Sequence, residues 1–326
     1  MQINKIQIKD LILPSPIILA PMAGITNLPY RRIMKSFGAG LVFSEMISAN
    51  GMIRDGQKTQ LLLKSHQSES PLGIQLFGDD PTVLAQAAQM VADAGSMIDI
   101  NMGCPVKKVV RNGAGSALLQ DPERVKNICK AVRNTYSGPL TIKIRSGWDE
   151  QSVNFLEVGK IAENEGVDAI TLHARTRSQG FSGHSAWSQL AELKNALNIP
   201  VFGSGDIFTP EDGIKMFQET GCDAIMIGRG GYGNPWIIRQ ILDLTEGRKY
   251  TTPDPDEICL TALDHLDLHL AQFGEHKALL EMRKHMSWYA RGLSGASHFR
   301  SALQQITTIS QLQETTKSFF LQNRAA

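Results

Sequence analysis

The chain has 326 residues, of which 42% are hydrophobic and 20% charged, and its formal net charge is +1. This composition is typical of a globular protein with room for one large domain and a smaller one, and its near-neutral charge leaves nucleic-acid binding open because such binding depends on local patches. No apolar run approaches the roughly 18 residues that a membrane span needs, and the polar, alternating start MQINKIQIKD lacks the pattern of a signal peptide.

Eight short β-rich runs follow one another along the first three quarters of the chain. They lie at 17–20, 41–44, 72–77, 97–101, 140–144, 169–173, 199–203 and 224–228. Amphipathic segments separate most of them, and two of these segments, at 80–95 and 121–136, begin with Asp-Pro, a helix cap followed by proline at the first helical position. Eight βα units in about 240 residues predict a (β/α)₈ TIM barrel. An open doubly wound sheet is the alternative, but no GxGxxG follows the first strand.

The pattern changes at the proline- and acid-rich joint TTPDPDE, residues 251–257. Beyond it, apolar residues recur every three or four positions, as a small helical bundle requires. Helices are predicted at 258–273, 277–293, 297–306 and 310–322. We therefore predict a catalytic barrel over residues 1–250 and an all-α C-terminal domain over residues 251–326.

Polar residues end several of the predicted strands, where the interior of a barrel would otherwise be apolar. They are Gln75, Asp99, Asn101, Lys143, Arg145, His173 and Arg175. Barrel enzymes take their catalytic residues from these strand ends and from the loops that follow. Lys143 alternates with Ile142 and Ile144, so its ammonium loses water whichever way it points, which is costly without a partner. Such residues at several strand ends together predict a functional site.

Two glycine-rich loops, GSGDIFTP (203–210) and GRGGYGNP (228–235), follow the seventh and eighth strands. Barrels often build a phosphate site there from backbone N–H groups and a helix N-terminus, and Arg229 adds a cation. Tight turns that need glycine are the alternative. Together with Lys143 and Gln75, the loops predict a phosphorylated cofactor, for which flavin mononucleotide (FMN) fits. Lys143 would then stabilise the N1–C2 oxygen edge of the reduced ring, and Gln75 would bond the ring edge.

Cys104 lies between a glycine and a proline in DINMGCPVKK, directly after the fourth strand. Gly103 allows a tight turn and Pro105 fixes the exit, so the thiol is held on a stiff loop. A free thiol has a pKa near 8.5 and can therefore act as a general acid at neutral pH. A small buried hydrophobe is the alternative, and it is how we interpret Cys129 and Cys222. The four cysteines form no CxxC pair, which predicts neither a metal site nor disulfides and favours the cytoplasm.

These motifs together resemble those of the tRNA-dihydrouridine synthases, most closely the bacterial B-type enzymes, over essentially the whole chain. The resemblance is carried by APMAGITNLPYR (20–31), SEMISAN (44–50), DINMGCPVKKVVRNGAGSALL (99–119), KIRSGW (143–148), LHARTR (172–177) and IGRGGYGNPW (227–236). It implies reduction of the C5–C6 double bond of a D-loop uridine in tRNA, with FMN bound and NADPH or NADH as the hydride donor. The FMN contacts that it implies are Pro21, Met22, Ala23, Gln75, Lys143, His173, Ser204, Gly205, Asp206, Gly228 and Arg229.

The same resemblance implies the roles of three residues near the substrate. Cys104 would protonate C5 of uracil after hydride reaches C6, and Asn101 and Arg175 would lie close to the base. One departure is FGSGD, where B-type enzymes usually read ANGD. Ser204 replaces an asparagine there, which alters the side-chain contact but not the backbone cradle.

If the target base must leave its stack to reach the barrel, another part of the protein has to hold the rest of the tRNA. We expect the helical domain to do so by recognising the shape of the tRNA. The candidate phosphate contacts are Arg283, Lys284, Arg291, Lys107, Lys108 and Arg111, although each alone could be a solvated surface charge. No membrane, metal or protein partner is predicted. A small-molecule flavin barrel, such as a dihydroorotate dehydrogenase or ene-reductase relative, would leave the helical domain unexplained. A tRNA-binding or chaperone module with a vestigial barrel would leave Cys104 and Lys143 unexplained.

Overall fold

The computed structural model describes residues 5–54 and 56–325, so the predicted outer domain limits at residues 1 and 326 lie outside the described residues. The first part of the chain comprises β1 (Ile6–Ile8), β2 (Leu11–Leu13), β3 (Ile17–Leu19), α1 (Leu28–Ser36), β4 (Val42–Phe43), β5 (Ile47–Ser48), α2 (Ala49–Ile53) and α3 (Gln57–Leu62). The middle comprises β6 (Leu72–Phe77), α4 (Pro81–Met90), β7 (Met97–Met102), α5 (Lys107–Val110), α6 (Pro122–Thr135), β8 (Leu140–Arg145), α7 (Phe155–Asn164), β9 (Ala169–His173) and α8 (Trp187–Ala196). The last part comprises β10 (Val201–Ser204), α9 (Pro210–Thr220), β11 (Ala224–Ile227), α10 (Trp236–Thr245), α11 (Pro255–Phe273), α12 (Glu275–Tyr289), α13 (Ala296–Gln305) and α14 (Ile309–Gln322).

The strands from β3 onward form one parallel sheet that curls into a barrel. Its order is β3-β11-β10-β9-β8-β7-β6-β4, and the short strand β5 also pairs with β6. A parallel bridge between Ile18 and Leu41 brings β3 to β4, where the backbone N–H of Leu19 donates to the Leu41 carbonyl at 2.9 Å. The two ends of the sheet therefore meet, and the predicted (β/α)₈ barrel is confirmed.

The two Asp-Pro signals begin helices as predicted. The Asp80 carboxylate accepts hydrogen bonds from the backbone N–H groups of Thr82 and Val83 at the start of α4. Asp121 caps α6 in the same way by accepting from the N–H of Arg124. Both contacts satisfy backbone donors that a helix N-terminus leaves without a partner.

The hairpin of β1 and β2 is a feature that the sequence analysis did not predict. Its strands pair antiparallel, and its apolar side chains share one buried cluster with inward-facing residues of the barrel strands. Ile8 and Leu13 belong to that cluster together with Met97 and Phe202. Apolar side chains thus fill the N-terminal end of the barrel, and the polar strand ends are left at the opposite end.

The C-terminal helices α11–α14 have a buried cluster of their own, which includes Leu266, Met282 and Phe320. Trp236 of α10 belongs to this second cluster, so the helices pack directly against the barrel. Helix α12 ends at Tyr289, before the predicted end at residue 293, because the following turn places a glycine at a positive φ. None of the described helices is both long and apolar enough to cross a membrane.

The hairpin offers a matched test of how much its packing stabilises the fold. Ile8 is fully buried in the barrel, whereas Ile12 of the same hairpin is 56% exposed. Ile8→Ala should lower the free energy of unfolding by about 2–5 kcal/mol, since it leaves a cavity in a packed interior. Ile12→Ala should change it by no more than about 0.5 kcal/mol. Urea denaturation measures both values, and equal effects would show that the hairpin is not part of the core.

Candidate active site

A cavity of about 370 Å³ opens at the C-terminal end of the barrel strands. This volume falls within the range of about 300–1,000 Å³ that is usual for ligand pockets. Most of the predicted site residues lie in its wall: Pro21, Met22, Ala23, Asn101, Cys104, Lys143, His173, Ser204, Gly205, Asp206, Gly228 and Arg229. Gln75, Arg175, Lys107, Lys108, Arg283 and Lys284 do not line it.

Cys104 is held in the cavity wall by hydrogen bonds to its backbone N–H and to its backbone carbonyl. Its backbone N–H donates to Oδ1 of Asn101 at 2.9 Å, and its carbonyl oxygen accepts from the Ser116 hydroxyl at 3.0 Å. The side chain is half-buried. Burial raises the pKa of the Cys104 thiol, although a backbone hydrogen bond and two nearby cations work in the other direction. At neutral pH the cavity therefore contains a protonated thiol.

Lys143 contributes an ammonium group that forms no hydrogen bond or ion pair with any residue that the structure describes. Burial lowers its pKa to about 8, with Arg145 acting in the same direction and Asp99 against it. Burial also lowers the pKa of His173 well below its ordinary range, reinforced by Lys143 and three arginines, so this imidazole is neutral. The cavity is thus electropositive and offers an unpaired cation to an anionic ligand.

Arg145 joins two of the loops at the cavity. Its guanidinium donates to the carbonyl of Gly103 at 3.0 Å, and to the carbonyls of Thr176 and Gly180 at 2.9 and 2.8 Å. From the sequence, Arg145 was predicted only as a polar residue at a strand end, without a role. In the structure it lies in the cavity wall and supports the loop of Cys104 from below.

Arg175 lies beside the cavity rather than in its wall. Its Nη2 donates to both carboxylate oxygens of Asp206, at 2.8 and 2.7 Å, and its other bonds go to His173 and to the loop after β9. The Arg175 side chain is almost completely buried by these contacts. Asp206 has a positive φ of 59°, so the ion pair helps to hold an unfavourable backbone conformation at the end of β10. Arg175 therefore orients the Asp206 loop.

Two exposed aromatic rings at the cavity mouth were missed by the sequence analysis. The guanidinium of Arg229 lies 4.6 Å from the ring centre of Phe181 and 5.3 Å from that of Phe208. The rings are 56% and 47% exposed. A lone phenylalanine inside the polar, glycine-rich stretch SQGFSGH was the available signal, because such a loop has no core of its own to bury it.

Gln75 and Asp99 lie beneath the cavity, in the barrel interior. Gln75 is fully buried, donates to Asp99 at 2.7 Å and accepts from the side-chain amide of Asn101 at 2.9 Å. Asp99 also accepts from the Thr141 hydroxyl at 2.6 Å. The structure therefore connects Gln75 to the cavity through Asn101.

The predicted tRNA contacts fall into two groups. Lys107 and Lys108 are exposed at the start of α5, close to the Cys104 loop. Arg283 donates to the carbonyl of Ile306 inside the helical region, and Lys284 donates to the carbonyl of Gly24 at 2.9 Å. The second pair thus joins parts of the fold, with Lys284 linking α12 to the loop after β3. Arg111 and Arg291 are exposed.

Over the described residues, no group of three or more His, Cys, Asp or Glu side chains could hold a metal ion. All four cysteines are free thiols.

A family model and several known proteins match this chain over nearly its whole length. The family model "Dihydrouridine synthase" matches residues 18–324. The chain is 42% identical over 322 residues to tRNA-dihydrouridine synthase B of Pasteurella multocida, covering 98% of this chain and 96% of the relative. It is 39% identical over 315 residues to the protein of the same name from Pseudomonas aeruginosa, covering 96% and 95%.

Solved structures show a likeness of fold alone. A 2-naphthoyl-CoA reductase complex matches with a TM-score of 0.57 at 14% identity, over 75% of this chain and 52% of the other. The histamine dehydrogenase from Rhizobium sp. 4-9 matches with a TM-score of 0.53 at 15% identity, over 82% and 50%. The chain spans about half the length of both structures.

The buried Asp99 predicts a pH-dependent stability. Burial raises its pKa from 3.8 to about 6, opposed by the hydrogen bonds from Thr141 and Gln75. Between these values the folded protein holds a proton that the unfolded chain has released, so the free energy of unfolding falls as the pH rises. The shift corresponds to about 3 kcal/mol, spread over pH 4–6. Asp99→Asn should flatten that slope in urea denaturation at several pH values, and Thr141→Val should extend it to higher pH, because loss of the Thr141 hydrogen bond raises the pKa of Asp99 further. An unchanged slope in Asp99→Asn would show that another group titrates there.

Proposed function

The chain belongs to the dihydrouridine synthase family, and on that premise we propose that it reduces a D-loop uridine of tRNA to 5,6-dihydrouridine with bound FMN and NADPH or NADH. The resemblance found in the sequence is confirmed by the family match and by the relatives. The observation that carries the proposed chemistry is that the protonated thiol of Cys104 and the unpaired ammonium of Lys143 face the same cavity.

The lining of the cavity supports a flavin nucleotide as its ligand. Gly205, Gly228 and Arg229 line the same cavity as the unpaired ammonium of Lys143, so the wall combines two cations with glycine backbones that a phosphorylated ligand can approach. We propose that Arg229 and the backbone at Gly205 and Gly228 hold the phosphate, as in other barrels with a phosphate site after the last two strands. FMN, when bound, supplies the hydride that reaches C6 of uracil.

Lys143 would hold the negative charge that appears at the N1–C2 oxygen edge of the reduced cofactor. Since it has no partner among the described residues, its ammonium is free for that contact. The neutral His173 brings no further positive charge, and it can donate or accept a hydrogen bond at the ring.

Asn101 would contact the base through the amide hydrogen that remains free. One Nδ2 hydrogen is donated to Gln75, and Oδ1 already accepts from the N–H groups of Gly103 and Cys104. The second Nδ2 hydrogen is therefore the one that can reach a carbonyl oxygen of uracil in the cavity.

Cys104 would hold its proton until C6 has gained hydride and then transfer it to C5. The raised pKa keeps the donor protonated at neutral pH. The thiolate left behind would be stabilised by Arg145 and Lys143, the two cations that act on this thiol. Hydride at C6 and the proton at C5 together complete the reduction of the double bond.

We propose that the exposed Lys107, Lys108 and Arg111 contact tRNA phosphates beside the cavity, and that α11–α14 hold the tRNA by its shape. Their exposure near the Cys104 loop supports this assignment. Arg283 and Lys284 would then act mainly by keeping the helices in place, because both donate to backbone carbonyls of the protein itself.

The activity can be tested directly on tRNA from a strain that lacks dihydrouridine. The purified protein should form dihydrouridine with NADPH, as measured by mass spectrometry of digested tRNA, and its NADPH oxidation should rise when that tRNA is added. NADPH oxidation driven by a small pyrimidine or enone but indifferent to tRNA would instead identify a small-molecule enzyme.

Cys104→Ala should separate the two halves of the reaction. Reduction of the flavin by NADPH should remain near the native rate, because that step needs no proton from the thiol. Reoxidation by tRNA should slow by a factor on the order of 10² or more, the usual contribution of a general acid. Stopped-flow absorbance of the flavin follows both steps, and Cys222→Ala is the control because its buried thiol is outside the cavity. Native reoxidation in Cys104→Ala would assign the proton to another group.

Lys143→Ala and Arg229→Ala should each weaken FMN binding. Loss of a hydrogen bond to a charged group predicts a rise in Kd of roughly tenfold or more. The FMN content of the purified proteins and fluorescence titration measure this, with the exposed Lys108→Ala as the matched control. Full FMN retention in both folded variants would place the cofactor elsewhere.

A further inference from the structure

We propose that Asp99 is a positioning residue that sets the direction of a buried hydrogen-bond chain and thereby holds the loop of Cys104 in place. The effect on the loop stands on the structure itself, and only its consequence for catalysis rests on the proposed function.

The hydrogen-bond chain runs from Asp99 in the barrel interior to the loop of Cys104 through two side-chain amides, those of Gln75 and Asn101. Nε2 of Gln75 donates to Oδ2 of Asp99 at 2.7 Å. Nδ2 of Asn101 donates to Oε1 of Gln75 at 2.9 Å. Oδ1 of Asn101 then accepts the backbone N–H of Cys104 at 2.9 Å and that of Gly103 at 3.2 Å. Every donor in the chain therefore points toward Asp99.

A carboxylate is needed at the inner end because an amide can be turned around. The two ends of an amide have nearly the same shape, but one donates and the other accepts, whereas an ionised carboxylate only accepts and a backbone N–H only donates. With Asp99 at one end and the N–H groups at the other, only one orientation of Gln75 and Asn101 satisfies every atom. Turning either amide would place two donors or two acceptors face to face.

Water cannot reach the Gln75–Asp99 end of the hydrogen-bond chain to relieve such a mismatch. Gln75 is fully buried, Asp99 is 1% exposed and Asn101 is 7% exposed. A buried polar group without a partner is costly, and a network with one reversed member loses more than a single bond. The strand register supports the arrangement, since Gln75 is paired with Asp99 and Asp99 with Thr141 on adjacent strands.

The carboxyl of Asp99 is ionised at neutral pH in spite of its burial. Its raised pKa of about 6 still lies below neutrality, because the bonds from Thr141 and Gln75 and the nearby Lys143 oppose the effect of burial. On the other side of the loop, Ser116 donates to the Cys104 carbonyl and Arg145 donates to the Gly103 carbonyl. The chain from Asp99 is thus what holds the N–H side of this loop.

Three variants of the 326-residue chain test the proposal at pH 8, where the carboxyl is ionised. Asp99→Leu keeps the branched shape but removes the acceptor, so Nε2 of Gln75 loses its partner and the hydrogen-bond chain loses its inner anchor. Thr141→Val is the matched control, since it removes the other hydrogen bond of the same carboxylate but no member of the chain. The double variant Asp99→Asn/Gln75→Glu moves the carboxylate from position 99 to position 75. The side-chain amides at positions 99 and 101 can then both donate to that carboxylate, so every donor that faces the Cys104 loop keeps its orientation.

The first measurement is hydrogen exchange of the Gly103 and Cys104 amides. Loss of one hydrogen bond predicts exchange about tenfold faster in Asp99→Leu, and exchange close to the native rate in Thr141→Val and in the double variant. The second is alkylation of Cys104 by iodoacetamide relative to Cys259, a half-buried thiol in α11 that serves as the internal standard. That ratio should rise in Asp99→Leu alone.

Native exchange in Asp99→Leu would overturn the proposal. If Asp99→Leu does not fold, the double variant alone tests the proposal. Native exchange of the Gly103 and Cys104 amides would support the proposal, and exchange tenfold faster would overturn it. Neither measurement needs tRNA or NADPH. Faster exchange in Asp99→Leu, together with a native protein that makes no dihydrouridine, would therefore reject the proposed function and leave the positioning role standing.

In the tRNA assay, Asp99→Leu should lower kcat without raising the KM for tRNA, whereas Thr141→Val should leave both unchanged. A rise in KM with kcat unchanged would reject the catalytic consequence.

Discussion

Closure of the parallel sheet is the constraint on which the rest of the structure depends. Because side chains alternate along a strand, closure directs every second residue of the barrel strands into one interior. The N-terminal half of that interior is apolar and packed by the hairpin, whereas the C-terminal half carries Asp99, Asn101 and Lys143. The register sets Asn101 opposite Lys143 and Asp99 opposite Thr141. Asp99 and Lys143, which are far apart in the sequence, therefore share one poorly hydrated interior. Burial there raises the pKa of Asp99 and lowers the pKa of Lys143.

The helical region also shapes the cavity. The loop after β11 is held between the barrel and α12, because the hydroxyl of Tyr30 donates to the carbonyl of Gly231 at 2.8 Å and Tyr232 stacks on Trp288 with ring centres 4.3 Å apart. Lys284 of the same helix reaches the loop after β3. Two of the loops proposed to bind the cofactor are therefore positioned by contacts with the helices that are proposed to hold tRNA.

Local pattern was enough to predict the strands, the Asp-Pro helix starts and most of the cavity wall, because alternation, caps and strand ends are encoded within a few residues. It could not show which distant groups pair. Arg175 binds Asp206, Arg283 bonds inside the helical region, and Gln75 lies beneath Asn101. A long polar side chain takes whichever partner the fold brings near, so its role depends on the packing of remote segments. The hairpin was missed because its strands are only three residues long.

That hairpin also bears on how the chain reaches its fold during synthesis. Ile8 leaves the ribosome early, but Phe202 and Ala224, which share its buried cluster, are made much later. At about 5–20 residues per second, its apolar side chains wait roughly ten seconds or longer for these partners. The pairing of β11 with β3 also joins segments from opposite ends of the barrel sequence. Contacts of such long range are slow to form. The newborn chain therefore passes through a period in which an open sheet and an uncovered hairpin coexist.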